Sequence, residues 1–580
     1  MKSRSNNKKG KPSVFGLLKP YSRLVSLLVL FALLGNGLNL WIPKIIGKGI
    51  DAYTEGQFLY KPLIIQFVLV VVVVFIFTYS QSIIQTYTSE RVARDLRTKL
   101  SDKIAQQSFA YIEKVNPSKL LTNLTADVDS IKLFVSQAIV SIASSLFIIF
   151  GASILLLSID WKLGLVVISI IPIIGTVFFL VLRKVRALFK ESRAVIDWLN
   201  KIINESILGA ALIRVINSQQ QEYHKFLEAN TKAKDYGLAI LRLFAGLIPV
   251  IIFTANMAGL AILLLGGHFV IVNSMTLGDF AAFNSYLALL IFPILVIGFM
   301  SNIIAQASAS YERISSVLET PEVEQKGTIT TPINGEIALN GINLNYGQKP
   351  VLKNITFSVS AGSRTAVLGP TAAGKSQLLY LMTGLVPPDS GSISYDKRPI
   401  SDYLTEGFYE QVGFVFQDSI IFNMSIRENI AFSDTVTDAS LAKALETAEL
   451  HSFIRELPEG LDTVVSERGS SLSGGQKQRI MLARALAIDP KVLLLDDFTA
   501  RVDNLTEKKI LDNIKRNYPD LTLVSVTQKI VSVSDYEQII LIMQGEMIAS
   551  GTHRELMGTS PEYVQIFNSQ QSTSNYELSA

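Results

Sequence analysis

The sequence predicts a multi-domain membrane protein in which an all-α six-helix transmembrane domain is followed by an α/β domain with a P-loop. Hydrophobic residues make up 49% of the 580 residues and charged residues only 18%, whereas a soluble protein carries about 25% charged residues. Long apolar stretches fill the first half of the chain, and short β-like runs alternate with helical ones in the second half. One of these runs leads into a glycine-rich segment with the spacing of a phosphate-binding loop.

The apolar stretches of the first half are each close to the roughly 20 residues that a helix needs to cross a bilayer. The predicted spans are 24–46, 63–85, 134–158, 163–182, 240–265 and 277–304. The connections after the second and fourth spans are long, polar, helical in pattern and rich in Lys and Arg. Because basic loops stay in the cytoplasm, both long connections and both termini are predicted to be cytoplasmic. The spans are expected to continue as helices beyond the membrane.

The domain boundaries follow from changes in composition. The sequence predicts a membrane domain over 1–320, a linker over 321–335 where Pro, Thr and Gly accumulate, an α/β domain over 336–568, and a disordered tail over 569–580. No short apolar core with a cleavage site follows the basic N-terminus, so a cleaved signal peptide is not expected. The chain contains no cysteine, which excludes disulfides, thiolate metal sites and cysteine nucleophiles.

Seven short runs in the second half are predicted to be strands. They are 336–344, 355–359, 364–368, 411–416, 492–495, 521–526 and 538–543. Their alternation with helical segments predicts an open α/β sheet, which places ligands at the carboxyl ends of its strands.

The run 364–368 leads into a segment that fits G-x-x-x-x-G-K-[ST] and opens a helix. In such a loop the backbone N–H groups wrap the phosphates, Lys375 reaches the β- and γ-phosphates, and Ser376 ligates Mg²⁺. The predicted nucleotide-binding residues here are Gly369, Pro370, Thr371, Ala372, Ala373, Gly374, Lys375, Ser376 and Gln377.

Polar side chains follow two further strands. Asp496 and Asp497 end the apolar run 492–495, which is typical of a buried strand that delivers acids at its carboxyl end. Asp496 is predicted to bind Mg²⁺, and Asp497 stands where a general base or water-orienting acid would act. Gln417 follows the run 411–416 and is a candidate to reach the metal or the water; an ordinary loop glutamine is the alternative.

The segment LSGGQ at 472–476 opens an amphipathic helix. Two glycines at a helix start let backbone N–H groups approach an anion, and the helix dipole favours negative charge there. Ser473 adds a hydroxyl donor. The sequence therefore predicts a second phosphate-binding element formed by Ser473, Gly474, Gly475 and Gln476.

The motifs GPTAAGKS, VFQDS, LSGGQKQR and KVLLLDDFTARVD, in this order, resemble those of ATP-binding cassette exporters that fuse a six-helix membrane domain to a nucleotide-binding domain. The resemblance covers nearly the whole chain. It implies ATP and Mg²⁺ as cofactors, stacking of Tyr346 on adenine, and coupling helices near 116–120 and 209–215. An exposed strand tyrosine is the alternative for Tyr346. The family also implies a head-to-tail dimer, in which each ATP lies between one chain's P-loop and the other's LSGGQ.

Three departures from the family pattern fall in one functional unit. The catalytic Glu of the family is Asp497, its switch His is Gln528, and its S-A-L-D loop is ARVD at 500–503. A positioned base is worth roughly 10²- to 10⁴-fold in rate, and a misplacement near 1 Å costs about 10²-fold. Gln528 can hydrogen-bond a γ-phosphate but cannot become an imidazolium. Because LSGGQ is intact, the resemblance implies a second, non-identical exporter subunit as partner; a homodimer with two slow sites is the alternative.

The transported compound is indicated only broadly. The predicted spans carry few charges but several amides, hydroxyls and aromatics, which either line an amphipathic cavity or bond between helices. Efflux of small amphipathic compounds, as in multidrug export, is the favoured function; export of lipid, haem, thiol or peptide, an ATP-gated channel and a ligand sensor are alternatives. The expected location is the bacterial plasma membrane. The net charge of +4 is small and does not predict a nucleic-acid partner.

Overall fold

The computed structural model describes residues 14–56, 60–321, 327–466, 469 and 471–577. These residues form two compact units. The membrane unit takes in the described parts of Met1–Gln106 and Val115–Pro321, and the α/β unit takes in those of Gln107–Lys114 and Glu322–Ala580.

Six helices of the described chain are long and apolar enough to cross a membrane: α1 (Gly16–Thr54), α2 (Tyr60–Ala105), α4 (Pro117–Ile159), α5 (Trp161–Leu208), α7 (Gln219–Ile271) and α8 (Leu277–Leu318). Two short helices lie in the long connections: α3 (Phe109–Val115) and α6 (Ala210–Val215). All six predicted spans lie within the long helices, which confirms their number. With 46 residues, α2 extends over roughly 69 Å at 1.5 Å per residue, against roughly 30 Å of hydrocarbon core. The α2 helix is thus longer than one bilayer crossing needs, as the sequence predicts.

A buried carboxylate connects α4 to α8 within the membrane unit. The Asp127 side chain is 3% exposed. Its Oδ1 accepts a hydrogen bond from Ser310 Oγ at 2.9 Å, its Oδ2 accepts one from Arg313 Nε at 2.9 Å, and a second guanidinium nitrogen also bonds Oδ1. A buried carboxylate is stable only with such partners, so this network holds the two helices in one register.

Replacing Asp127 by Ala is therefore expected to destabilise the membrane unit by about 2 kcal/mol, because two charge-assisted interactions are lost. Asp129 provides the matched control, since its ion pair with Arg97 at 2.7 Å is exposed and contributes less than about 1 kcal/mol. The measurement is the thermal unfolding midpoint of the purified chain in detergent at one scan rate. Equal shifts for Asp127→Ala and Asp129→Ala would contradict the structural role of Asp127.

The α3 segment departs from the predicted domain organisation at one point. Residues Gln107–Lys114 belong to the α/β unit, although they lie inside the predicted membrane domain 1–320. The Phe109 ring packs 5.5 Å from that of Tyr380, centroid to centroid. The predicted coupling segment 116–120 does begin a helix, α4, which Asn116 Oδ1 caps by accepting from Ser118 N at 3.0 Å; its coupling role stays a prediction. The segment predicted at 209–215 does form a helix, α6.

The α/β unit contains two sheets. Its strands are β1 (Ile337–Tyr346), β2 (Lys349–Val359), β3 (Arg364–Leu368), β4 (Ser390–Tyr395), β5 (Arg398–Pro399), β6 (Val412–Val415), β7 (Val492–Asp496), β8 (Thr522–Thr527), β9 (Gln538–Met543) and β10 (Glu546–Gly551). An antiparallel sheet has the order β2-β1-β4-β5, and a larger sheet has the order β10-β9-β3-β8-β7-β6. From β9 to β6 the larger sheet is parallel. Each of the seven predicted runs overlaps a strand, whereas β4, β5 and β10 are not predicted.

Helices connect and cover these strands. They are α9 (Lys375–Met382), α10 (Thr405–Tyr409), α11 (Ile426–Ile430), α12 (Asp438–Thr447), α13 (His451–Arg455), α14 (Gly474–Ala487), α15 (Asn504–Asn517), α16 (His553–Thr559) and α17 (Pro561–Glu577). The strand β7, which lies between β8 and β6, is buried at every position, as expected for a parallel strand covered on both faces.

Two predicted irregular segments are ordered in part. The second half of the predicted linker bonds to the α/β unit, since Thr328 N and Ile329 N both donate to Asp402 O at 2.9 Å; residues 322–326 lie outside the described chain. The tail predicted to be disordered from 569 is instead helical through Glu577, and only 578–580 lie outside the described residues. Ile566 and Phe567, which precede this tail, pack against the apolar core, so its polar composition misled the prediction.

Candidate nucleotide-binding site

A cavity of about 250 Å³ lies where the parallel strands β3, β7 and β8 end. Its lining residues are Val351, Thr371, Ala372, Ala373, Gly374, Lys375, Ser376, Gln377, Gln417, Asp496, Asp497, Val526 and Gln528. The predicted P-loop residues from 371 onward, both acids, Gln417 and Gln528 are thus brought together. Gly369 and Pro370 of the same loop line a second, neighbouring cavity instead.

The loop backbone has no room for side chains at two glycines. A methyl group at Gly369 would lie 2.1 Å from Ile542 O, and one at Gly374 would lie 2.7 Å from Leu352 Cδ2. Gly374 also has φ +93°, in the left-handed region. Ala372 adopts φ +65°, which costs about 1–2 kcal/mol for an L-residue. The loop therefore keeps the conformation of a phosphate-binding loop, and the unfavourable backbone conformation of Ala372 costs free energy.

Lys375 is the buried cation of the cavity. Its Nζ donates to Gly369 O and Pro370 O, both at 2.8 Å, so it spans the loop that would hold phosphate. Burial lowers the pKa of Lys375 from its ordinary value, and the charges of Asp497 and Asp496 oppose that shift. An anion that enters the cavity therefore meets one positive side chain and two negative ones. Such a cavity favours an anion that binds together with a cation.

Asp496 has the geometry of a metal ligand. Its Oδ1 accepts from Ser376 Oγ at 3.0 Å, while its buried Oδ2 has no hydrogen-bond partner among the described residues. Burial raises the pKa of Asp496 above its ordinary value, and the Ser376 hydroxyl opposes this. A free buried carboxylate oxygen beside a hydroxyl fits Mg²⁺, which is usually held by one or two carboxylates together with substrate phosphates.

Asp497 and Gln528 follow the neighbouring strands β7 and β8 at the same end of the sheet. Residue 496 of β7 pairs with Val526 of β8, and Asp497 N donates to Val526 O at 2.9 Å. Asp497 has φ +45°, a left-handed conformation that Asp tolerates. Burial raises the pKa of the Asp497 carboxyl, while the charges of Lys375 and Lys529 oppose the shift.

Lys529 contributes to the charge around Asp497, and the sequence did not indicate this role. Its Nζ donates to Glu507 Oε2 at 3.1 Å and to Asn504 Oδ1 at 3.3 Å. Glu507 is 2% exposed, so this partner is fixed inside α15. The ion pair places a positive charge near Asp497, and no sequence motif pointed to either member.

Two family models match the chain: the ABC transporter transmembrane region at residues 25–294 and the ABC transporter model at residues 352–500. The uncharacterized ABC transporter ATP-binding protein YfiB of Bacillus subtilis (strain 168) is 34% identical over 559 residues, which cover 95% of this chain and 97% of that protein. The chain belongs to the ABC transporter family. It is thus a half-transporter with an ATP-binding domain, and ATP hydrolysis coupled to transport is its general activity.

Other relatives of this ABC transporter carry more specific names. The multidrug resistance-like ATP-binding protein MdlA of Buchnera aphidicola subsp. Schizaphis graminum (strain Sg) is 29% identical and covers 95% of this chain and 97% of its own length. The ATP-dependent lipid A-core flippase of Syntrophus aciditrophicus (strain SB) is 28% identical over 84% of this chain and 82% of its own length.

A solved structure shares the fold. A bacterial Atm1-family ABC exporter with ATP bound superposes with a TM-score of 0.75 at 23% identity, covering 95% of this chain and 98% of that one. The six-helix membrane domain and the α/β domain predicted from the sequence are therefore the fold of an ABC exporter.

The LSGGQ segment of this ABC transporter is separate from the cavity. Among the residues that the structure describes, Ser473, Gly474, Gly475 and Gln476 do not contribute to the cavity lining. Ser473 is instead the N-cap of α14: its Oγ accepts from Gln476 N at 3.3 Å, and its N–H donates to Gln476 Oε1 at 2.8 Å. A methyl group at Gly475 would lie 2.8 Å from Arg501 O, so the ARVD loop packs under the glycines.

Tyr346 is placed beside the P-loop rather than in the cavity lining. Its side chain is 48% exposed, and its hydroxyl donates to Gln377 Oε1 at 2.7 Å. Because Gln377 lines the cavity, the Tyr346 hydroxyl lies next to the cavity lining; the stacking of Tyr346 on adenine stays a prediction.

Proposed function

We propose that this chain is one subunit of a heterodimeric ATP-driven exporter, and that its own site binds ATP but hydrolyses it slowly. The observation that carries the proposal is the pairing of Asp497 and Gln528 in one phosphate-sized cavity with an intact, capped Ser473 outside it. A subunit that lost its catalytic acid but kept its LSGGQ segment is suited to completing a site on another chain.

In its own site the chain supplies the residues that bind nucleotide. Lys375 and the first N–H groups of α9 bind the phosphates, Tyr346 stacks on adenine, and Ser376, Asp496 and Gln417 hold Mg²⁺. Mg²⁺ held by these residues would supply positive charge that offsets the negative charge of the phosphates. The full set that binds ATP is Tyr346, Gly369, Pro370, Thr371, Ala372, Ala373, Gly374, Lys375, Ser376 and Gln377.

Slow hydrolysis follows from the position of Asp497. Its side chain is one methylene shorter than Glu, and its N–H bond to Val526 O at 2.9 Å fixes the main chain, so the backbone does not make up the missing reach. Gln528, unlike His, cannot accept and return a proton at neutral pH. We infer that Gln528 contacts the γ-phosphate and holds it.

The LSGGQ segment serves the ATP of the partner. The N-terminal N–H groups of α14 and the Ser473 hydroxyl provide donors for phosphate oxygens. The partner supplies a P-loop, a catalytic Glu and a switch His, and turnover occurs mainly at that composite site. A homodimer of two slow sites is the alternative assembly.

The cargo is proposed to be a small amphipathic compound, as in multidrug efflux. Support comes from the polar and aromatic side chains in the apolar helices and from the name of the MdlA relative. Lipid transport is a second candidate, supported by the relative named a lipid A-core flippase. The proposed location is the bacterial plasma membrane, with the α/β domain and both termini in the cytoplasm.

Inside-out membrane vesicles test the proposal. Vesicles carry this chain alone, or this chain with a half-exporter from a neighbouring gene. With ATP, a fluorescent amphipathic dye is expected to accumulate, and ATP to be hydrolysed rapidly, only when both subunits are present. Lys375→Ala in this chain tests its contribution in the same vesicles.

Three outcomes separate the alternatives. ATP hydrolysis by the lone chain at the rate of the pair would exclude the need for a second subunit. Rapid hydrolysis by the pair without accumulation of any dye in a broad panel would favour lipid transport, checked with labelled phospholipid in the same vesicles. Hydrolysis that moves neither dye nor lipid would favour a channel or sensor.

A further inference from the structure

The side-chain amide of Gln570, on the C-terminal helix α17, bridges the backbone that follows β8. Its Nε2 donates to Gln528 O at 2.6 Å, and its Oε1 accepts from Ile530 N at 3.0 Å. These are the two groups, one on each side of residue 529, that a neighbouring parallel strand would pair with. The Gln570 side chain thus forms the two hydrogen bonds that a further strand would form. These two bonds, called the clamp below, hold the segment 528–530.

The clamp holds the main chain of a residue whose side chain lines the nucleotide cavity. Gln528 contributes to the cavity lining, while its carbonyl is bonded to α17. Between the two clamped residues, Lys529 is anchored to Glu507 of α15 at 3.1 Å. The segment is therefore held by two separate helices, and Gln528 is its one residue that lines the nucleotide cavity.

Apolar packing holds one end of this segment, since Ile530 is buried in the core, whereas Gln528 is exposed. A second cavity, of about 200 Å³, separates α17 from the P-loop, and its lining includes Gly369, Pro370, Gln528, Ile530 and Gln570. Open space beside Gln528 leaves room for the segment to move once its hydrogen bonds are lost. The hydrogen bond from Gln570 therefore restrains the exposed residue Gln528, in addition to the apolar contacts that hold Ile530.

We propose that Gln570 is a positioning residue for this chain's own ATP site: it sets where Gln528 meets the γ-phosphate, so that the position of the C-terminal helix controls how firmly ATP is held. This rests on the proposed role of Gln528 in the ATP site. Gln570 itself does not line the nucleotide cavity; it acts through the backbone of Gln528.

The test compares Gln570→Met with Gln571→Met in the purified full-length chain in lipid nanodiscs. Methionine keeps the length of the side chain but removes both hydrogen bonds. Gln571 is the next residue of α17 and is exposed, so its replacement controls for the loss of an amide from this helix. Gln570→Glu is a third variant, which keeps the acceptor for Ile530 N–H and loses the donor to Gln528 O.

Two quantities are measured. Hydrogen–deuterium exchange at the Ile530 amide is expected to be roughly two- to tenfold faster in Gln570→Met, because one neutral hydrogen bond is lost. The Kd for ATP with Mg²⁺ is expected to rise about three- to tenfold, and that for ADP to stay within about twofold, because only ATP reaches Gln528. Gln571→Met is expected to match the wild type in both, and Gln570→Glu to lie between.

The outcomes distinguish this proposal from the one it rests on. Unchanged exchange at Ile530 in Gln570→Met, or faster exchange with an unchanged Kd for ATP, overturns the positioning role. Equal weakening of ATP and ADP also overturns it, since the effect would not act at the γ-phosphate. If Lys375→Ala binds ATP as well as the wild type does, the proposed nucleotide site itself is wrong. If Gln570→Met does not fold, Gln570→Glu decides by the same two measurements.

Discussion

Replacing Ser473 by Arg is expected to lower the ATP turnover of the assembled pair by more than about 100-fold, comparable to the loss of a key transition-state donor. The Ser473 hydroxyl caps α14 through Gln476 N at 3.3 Å and is proposed to face the partner's ATP. Arginine removes this donor and the cap, and it places a long side chain where the two domains would meet. Asp497→Asn is expected to change turnover of the same pair by less than about twofold, because a slow site contributes little to the total rate.

Thr437 provides the matched control for Ser473. It is also an exposed N-cap with a reciprocal capping box, with Ser440 as its partner at the start of α12. Thr437→Arg therefore costs a similar amount of helix-capping free energy, about 1 kcal/mol, without altering LSGGQ. We expect it to retain turnover within about twofold of the wild type, with Ser473→Arg and Asp497→Asn assayed beside it at saturating ATP.

The contrast between the two variants is the discriminating result. A large loss of turnover from Asp497→Asn would mean that Asp497 acts as a competent catalytic acid, and the asymmetry between the two sites would be refuted. A small loss from Ser473→Arg would mean that the LSGGQ segment of this chain does not complete the main hydrolytic site. Equal large losses would favour two equivalent sites, as in a homodimer.

Much of the fold was predictable because it depends on local periodicity. Apolar stretches of spanning length gave six helices, and continuous apolar runs gave buried strands such as β7. The strand β4, with sequence SGSISY, was missed because it is rich in Gly and Ser and half exposed; its pairing with β1 forms it. The helical tail was missed for a similar reason, since a polar composition indicates disorder unless a docking surface is known.

The residues of the candidate site were likewise predictable where they belong to a local motif and not where they meet only in the folded chain. Lys375, Ser376 and Asp496 were predictable because a P-loop and an acid at a strand end have a fixed spacing within one α/β sheet. The two contacts that hold the segment 528–530 were not predictable, because Lys529 contacts Glu507 across 22 positions and Gln570 contacts Gln528 across 42. Neither pair has a local pattern, and each exists only after α15 and α17 have packed onto the sheet.

Replacing Lys375 by Ala is expected to weaken ATP binding to the lone chain by more than about 100-fold, because it removes the charge-assisted hydrogen bonds of one ammonium group with two phosphates. In the described structure this ammonium bonds Gly369 O and Pro370 O. Without it, the triphosphate would meet Asp496 and Asp497 with Mg²⁺ as the sole neutralising charge in the cavity. The measurement is equilibrium binding of ATP with Mg²⁺ to the purified chain.

Lys353 is the control that separates this specific loss from a general loss of positive charge. It lies on β2, is partly exposed and pairs with Glu546 at 3.0 Å, so Lys353→Ala is expected to leave the Kd for ATP within about twofold. If Lys375→Ala binds ATP as tightly as Lys353→Ala does, this chain's P-loop is not a nucleotide site, and the chain contributes only its LSGGQ segment to the pair. A third outcome is that Lys375→Ala alone loses ATP binding while the pair that contains it still hydrolyses ATP. The ATP held by this chain would then be a different molecule from the ATP that is hydrolysed, as two unequal sites require.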